Sequence, residues 1–291
     1  MAEQSRWTRH KLHIFIFNLI FLTTLGVCDY SPINQFCMRW NQQSTVKNNI
    51  LYVDGGFQTF SDPGAIGPFP LGYNRQLITV PLSDSWDWKV NISQVGIAKT
   101  ANPKTGSYPP SLIGGAVFQG NTNDDRIFTY GGSFFQSNSS FGNPPPDPVT
   151  YSLWSYARGS NQWDQYDISS ASTVRPSEGA YASAPDQGLG FWLGGQVNNG
   201  SDSGSTGLGS GVIPVQGLIV VNMTAYVAKA RNISAVDLWS GNIGGSLTYL
   251  QTVADNGIMI AMGGVKKAPG IITEANGTLV YMLITWYINV G

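Results

Sequence analysis

Apolar residues in this chain fall in short runs that close on paired glycines. The pattern ILYVDGG (50–56) returns as RIFTYGG, GLGFWLGG and GIMIAMGG, ending on Gly55-Gly56, Gly131-Gly132, Gly194-Gly195 and Gly263-Gly264. Runs of this length, bounded by turn residues and rich in branched and aromatic side chains, predict strands rather than helices. A first strand precedes each of them: MRWNQQSTVK, then GGAVFQG (114–120), GAYASAP (179–185) and GSLTYLQ (245–251). Most of the links between first and second strands are rich in Asn and Asp and two to five residues long, a hairpin signal. Third strands are predicted at QLITVPL (76–82), YSLWSYA (151–157) and GLIVVNM (217–223), and fourth strands ending at VNIS (90–93), YDIS (166–169) and RNIS (231–234).

The first glycines of the four pairs lie 76, 63 and 69 residues apart, and the isoleucines of the three fourth-strand markers 76 and 65 apart. Two markers that keep nearly one interval define an internal repeat of four antiparallel strands. A small sheet with apolar residues on both faces must pack against neighbours, and radial stacking in a β-propeller leaves only short edges. The glycine pair then reads as a tight turn where a neighbouring sheet comes close. A phosphate-cradling reading would need a following helix and a nucleotide-loop spacing, and the sequence has neither.

These residues resemble the kelch repeat, whose pattern is four apolar residues, a glycine doublet, and a tyrosine separated by six residues from a tryptophan. The second unit fits best, with Tyr156 and Trp163 after RIFTYGG. The first unit has a displaced aromatic pair, Trp86 and Trp88, and the third has AYVAKARNIS where a tryptophan would stand. The resemblance covers residues 34–290, and FCMRWNQQSTVKNNILYVDGG is similar to secreted or membrane-anchored fungal kelch proteins. It implies an all-β, kelch-type β-propeller of four-stranded antiparallel blades. Such rings usually have six or seven blades; the four units here, the last without a convincing fourth strand, lead us to expect an incomplete ring.

Residues 1–28 form a distinct segment: Arg6, Arg9 and Lys11 precede the largely apolar IFIFNLIFLTTLGV, as in a secretory signal or a retained anchor. The propeller is expected over 29–291. Six sequons, at Asn91, Asn138, Asn199, Asn222, Asn232 and Asn276, agree with a secretory-pathway glycoprotein, secreted or at the cell surface. The two cysteines, Cys28 and Cys37, allow one short-loop disulfide if both are retained and leave Cys37 alone otherwise, so a hydrophobic core must hold the fold.

Only 11% of residues are charged and the formal net charge is −1, which gives no electrostatic reason to expect nucleic acid. The histidines are His10 and His13, both in the first segment. Copper oxidases resembling galactose oxidase share kelch-type blades but need histidine ligands, and triad or zinc hydrolysis fails for the same reason. A two-carboxylate glycosidase survives that test, but most of the aspartates, among them Asp54, Asp124, Asp125 and Asp164, fall in turns or beside strand ends. SDSGSTG (201–207) resembles the Asp-box of sialidase-like propellers without its tryptophan. The tryptophans read mainly as inter-blade core, with Phe134 and Phe135 as candidates for exposed aromatics.

The links between strands two and three, and between four and one, are long and emerge at one end of the blades, where binding sites on rigid scaffolds usually lie. The expected function is a non-catalytic extracellular or cell-surface scaffold without cofactor, taking a protein or glycan partner through those loops. Membrane attachment would come through the N-terminal segment or a C-terminal helix beyond the sequence. The alternative is a secreted carbohydrate-active or copper-oxidase-like enzyme whose catalytic residues lie in a missing C-terminal part.

Overall fold

The computed structural model describes residues 31–61, 71–83, 85–87, 92–134, 152–168, 175–198, 200–201, 212–231, 242–253, 255–266, 280–281 and 286–289. The chain divides into Met1–Ser31 and Pro32–Gly291; of the first unit only Ser31 is described, so the signal or anchor lies outside the described residues. All described regular elements of the second unit are strands.

Blade one contains β1 (Phe36–Trp40), β2 (Gln43–Lys47), β3 (Ile50–Asp54), β4 (Phe57–Phe60), β5 (Leu71–Tyr73), β6 (Gln76–Pro81) and β7 (Val95–Ala98). Its four-stranded sheet runs β2-β3-β6-β7, and β1-β4-β5 form a second, smaller sheet. Blade two is β8 (Ala116–Phe118), β9 (Arg126–Tyr130), β10 (Ser152–Ala157) and β11 (Gln162–Asp167). Blade three takes β12 (Ala180–Ala184), β13 (Leu189–Leu193), β16 (Leu218–Asn222) and β17 (Val227–Arg231), with a small pair β14 (Gln196–Val197) and β15 (Ile213–Pro214). In blade four, β18 (Asn242–Ile243) pairs with β21 (Val265–Lys266) and then β22 (Val280–Tyr281), while β19 (Ser246–Leu250), β20 (Ile258–Met262) and β23 (Trp286–Asn289) form the main sheet.

Strands alternate side chains between faces, so each blade has one apolar face toward the preceding blade and one toward the next. Ile50, Tyr52 and Leu77 of blade one pack on Val117, Ile127, Trp154, Tyr156 and Trp163 of blade two. Phe118, Phe128 and Tyr130 of blade two meet Trp192, Ile219 and Val221 of blade three. Phe191, Leu193 and Leu218 of blade three meet Leu247, Met259 and Ala261 of blade four. The first strands β2, β8, β12 and β19 lie side by side along the axis. The fold is therefore the expected kelch-type array of propeller blades, which among the described residues form an arc and do not close into a ring.

The glycine pair does more than turn the chain. Both glycines of every pair have positive φ, from 59° to 93°. Beyond the pair the strand resumes and pairs again: Phe57 with Trp40, Ser133 with Ile113, Gln196 with Ser177, and Val265 with Ile243. The pair is thus a kink between a main sheet and a smaller second layer, and parts of the two–three loops are sheet rather than loose connection.

The first-blade marker needs correcting. The fourth strand is β7, after VNIS rather than ending on it, and the three–four link of that blade is long. Register decides this: Leu77 pairs with Ile97, and Ile97 packs on the core shared with blade two. In the other two units the fourth strands end at Asp167 and Arg231, within or at the start of the predicted markers.

Candidate binding face

The second glycines of the first three pairs donate their N–H to the following blade: Gly56 to Leu112 O, Gly132 to Pro176 O, and Gly195 to Asn242 O, at 2.8–2.9 Å. Two residues after each acceptor comes a lead-in residue before the first strand, in the left-handed region: Gly114 (φ 60°), Glu178 (φ 57°) and Gly244 (φ 70°), with Asn41 (φ 54°) at the same place in blade one. These form a chain of their own, Gly114 N–H to Asn41 O, Glu178 N–H to Gly114 O, and Gly244 N–H to Glu178 O. Glu178 stands where two other units have glycine. The sequence signal was available in the alignment of SEG (177–179) with IGG (113–115 and 243–245), and sequence reasoning passed over it. Its carboxylate accepts a hydrogen bond from Gln196 Nε2 at 2.6 Å.

The residue before the pair is Asp54 in blade one and Tyr130, Leu193 and Met262 in the others. Asp54 is buried, with its Oδ1 2.7 Å from Lys99 Nζ; their side chains are 3% and 5% exposed. Lys99 also donates to Pro110 O at 2.6 Å, and Gln43 Nε2 donates to Asp54 Oδ2 at 3.2 Å. Leu112, Tyr130, Trp154 and the buried Arg175 complete a cleft of about 10 Å³, enough for one water. Small-molecule pockets are about 300 Å³ or more, so this cleft admits no sugar ring. Its carboxylate is committed to an ammonium, a structural arrangement rather than an acid–base pair. Neither Lys99 nor Arg175 stood out in the sequence, because nothing near them repeats.

The second layer is the more accessible part of this end. Phe36, Met38 and Leu71 of the β1-β4-β5 sheet are 42%, 56% and 39% exposed, and Ile213 of β15 is 45% exposed. Arg39 spans the layer, donating to Gln58 Oε1 at 2.9 and 3.2 Å and to Pro32 O, and burial pushes its guanidinium down to about 10. Phe134, expected as an exposed aromatic, is buried with Tyr73, Leu112 and Ile113, because the strand that resumes after the pair turns it inward. Phe135 lies outside the described residues.

Tyr156 and Trp163 face each other across the β10–β11 hairpin, ring centroids 5.2 Å apart and both buried against blade one. Trp163 Nε1 donates to Ala98 O, which ties the outer strand of one blade to the last strand of its neighbour. Trp154 and Trp192 are also buried, Trp86 is exposed, and Trp88 and Trp239 lie outside the described residues. Asp124 and Asp125 do turn chemistry, accepting from Arg126 N and Gly159 N. Asn222 Oδ1 accepts from Thr224 N and Ala225 N in the turn after β16. The other sequon asparagines, Asn91, Asn138, Asn199, Asn232 and Asn276, lie outside the described residues. No group of three His, Cys, Asp or Glu able to hold a metal occurs among the described residues.

No family model matches the chain. The solved structure of YjhT aligns with a TM-score of 0.44 and 14% identity, over 79% of this chain and 60% of that one. A kelch repeat-containing protein of Arthroderma benhamiae (strain ATCC MYA-4681 / CBS 112371) is 27% identical over 273 residues, 89% of this chain. The chain spans 36% of that relative's length. In sequence, then, the chain is similar to a fungal kelch repeat-containing protein, and its four-stranded antiparallel sheets are the blades of a kelch-type propeller.

Proposed function

We propose that this chain is a non-catalytic binding scaffold of the secretory pathway, secreted or held at the cell surface, that engages a protein or glycan through the glycine-pair end of its blades. The observation that carries this reading is the second layer. It projects from the end where the long connections emerge and presents Phe36, Met38 and Leu71 on a sheet held by Arg39 and Gln58. Exposed apolar groups on a rigid support suit recognition better than chemistry. The internally paired Asp54 and the single-water cleft beside it favour the same reading.

The full chain, expressed through a secretory host, is tested on immobilised cell-wall glycans and surface proteins beside Met38→Asp/Leu71→Asp. Saturable binding that weakens tenfold or more in the variant is the expected outcome. Equal binding by both proteins moves the site elsewhere. Stoichiometric copper with peroxide release from a primary alcohol would replace the scaffold by the oxidase-like reading.

A further inference from the structure

In blades two and three the third and fourth strands are joined by four-residue turns, 158–161 and 223–226. The last residue of each turn lies in the left-handed region, Asn161 at φ 52° and Tyr226 at φ 54°. Asparagine tolerates that region because its short polar side chain bonds locally, whereas a bulky aromatic there is an outlier. Strain of this kind marks a position held by a contact that the rest of the fold imposes. For Tyr226 the contact is with Tyr166 of β11, sixty residues earlier and in the neighbouring blade.

The two phenol rings are 4.1 Å apart between centroids and within 5° of parallel. Aromatic pairs in proteins ordinarily stand about 4.5–7 Å apart. Both hydroxyls accept from one nitrogen, Arg126 Nη1, at 3.0 Å for Tyr166 and 3.1 Å for Tyr226. Arg126 is itself fixed by Asp124, whose carboxylate oxygens accept from its Nε at 2.8 and 3.0 Å. Phe128 packs beside both rings, centroids at 6.1 and 6.4 Å, which seats the pair on the core shared by blades two and three. Each tyrosine is half-buried and so remains partly open to solvent. Parallel stacking with a shared donor holds the ring carbons beside the two hydroxyls about one stacking distance apart. Those Cε carbons carry unpaired spin once a phenol is oxidised, and two such rings couple there.

We propose that Tyr166 and Tyr226 form a site of oxidative modification, at which a haem peroxidase using hydrogen peroxide joins them as a dityrosine between blades two and three. Each phenol gives one electron to the peroxidase and loses its O–H proton. The two phenoxyl radicals pair their spins in a Cε–Cε bond. Each bonded Cε then loses its proton and each oxygen regains one, which restores the two phenols. In balance, two Cε–H bonds are replaced by one Cε–Cε bond, and two electrons and two protons pass to the peroxide, which leaves as two waters. The stack supplies the proximity that favours this coupling over radicals meeting between chains. Neither Cys28 nor Cys37 lies in these two blades, so no disulfide of the sequence ties them. A covalent bond closing sixty residues restricts the unfolded chain in the way a disulfide does.

The test treats the full chain with one equivalent of hydrogen peroxide and a haem peroxidase, beside Tyr166→Phe and Tyr226→Phe. Wild type is expected to gain dityrosine fluorescence at the mass of a single chain. Its digest should hold one peptide pair joining Tyr166 to Tyr226, two hydrogens lighter than the separate peptides. Each variant keeps the ring and loses the phenol, and should lose that fluorescence by about tenfold or more. The wild-type digest decides by itself should a variant fail to fold. A digest without the pair overturns the proposal, as do cross-links only at other tyrosines, such as the exposed Tyr108, or only between chains. Fluorescence unchanged in both folded variants overturns it as well. No binding partner enters these readouts, so the outcome is independent of the scaffold reading.

Discussion

The demand for glycine in the pairs is set by distance as much as by φ. At Gly55 a Cβ would collide with the Leu112 carbonyl of the next blade, while at Gly106, whose φ is +70°, it would meet nothing within 4 Å. Left-handed backbone alone costs a non-glycine residue about 1 kcal/mol. Gly106→Ala is therefore expected to lower stability by about that amount. Gly55→Ala should lower it by about 3 kcal/mol, because the joint must also open. Urea unfolding of both variants checks this, and equal shifts would show that conformation alone selects glycine at the pair. Glu178 occupies the same backbone region without being glycine, and its carboxylate is held by Gln196.

Among the elements, β3 differs from its counterparts by ending on a charge. Asp54 and Lys99 are both almost fully buried, so their attraction offsets desolvation only while both are present. Lys99→Met alone is expected to cost about 3–5 kcal/mol by leaving a buried carboxylate. Asp54→Leu/Lys99→Met should return to within about 1–2 kcal/mol of wild type, since Leu193 and Met262 occupy the Asp54 position in other blades. A double-mutant cycle by denaturant midpoint decides it; a double variant as weak as the single would point to a role beyond pairing. Lys47, in β2, ties blade one to blade two. Its ammonium donates to Gln119 O, Asn121 O and Arg126 O at 2.5–2.9 Å, closing the hairpin that leads into β9.

Across the whole molecule the arc is drawn together at its axis. Tyr181 of blade three reaches past blade two to the first strand of blade one, where its hydroxyl bonds both Ser44 N and Ser44 O. Burial raises this phenol's pKa, against a smaller lowering by the Ser44 hydrogen bond. An unfolded tyrosine ionises near pH 10, so the unfolded chain loses this proton first. The stabilising contribution is whole below about pH 10 and is lost as pH rises through the higher folded value. Thermal unfolding midpoints from about pH 8 to 11 should fall less steeply for Tyr181→Phe than for wild type. Identical slopes would remove Tyr181 from the account of alkaline unfolding.

The repeat, the strand identities, the hairpins and the need for glycine at the pairs are set by local alternation and turn chemistry, and these are legible along the chain. So was the Tyr156–Trp163 pair, because hairpin register follows from six intervening residues. Contacts between strands far apart in the chain are another matter. The Asp54–Lys99 pair, the burial of Phe134, the place of β7 and the reach of Tyr181 join residues whose spacing carries no period. Alternation assigns a side chain to a face, and only the packing of one sheet on the next decides what that face meets. The sequence by itself therefore determined the blade; the tertiary structure decided the joint between blades and the hydrogen bonds that hold it.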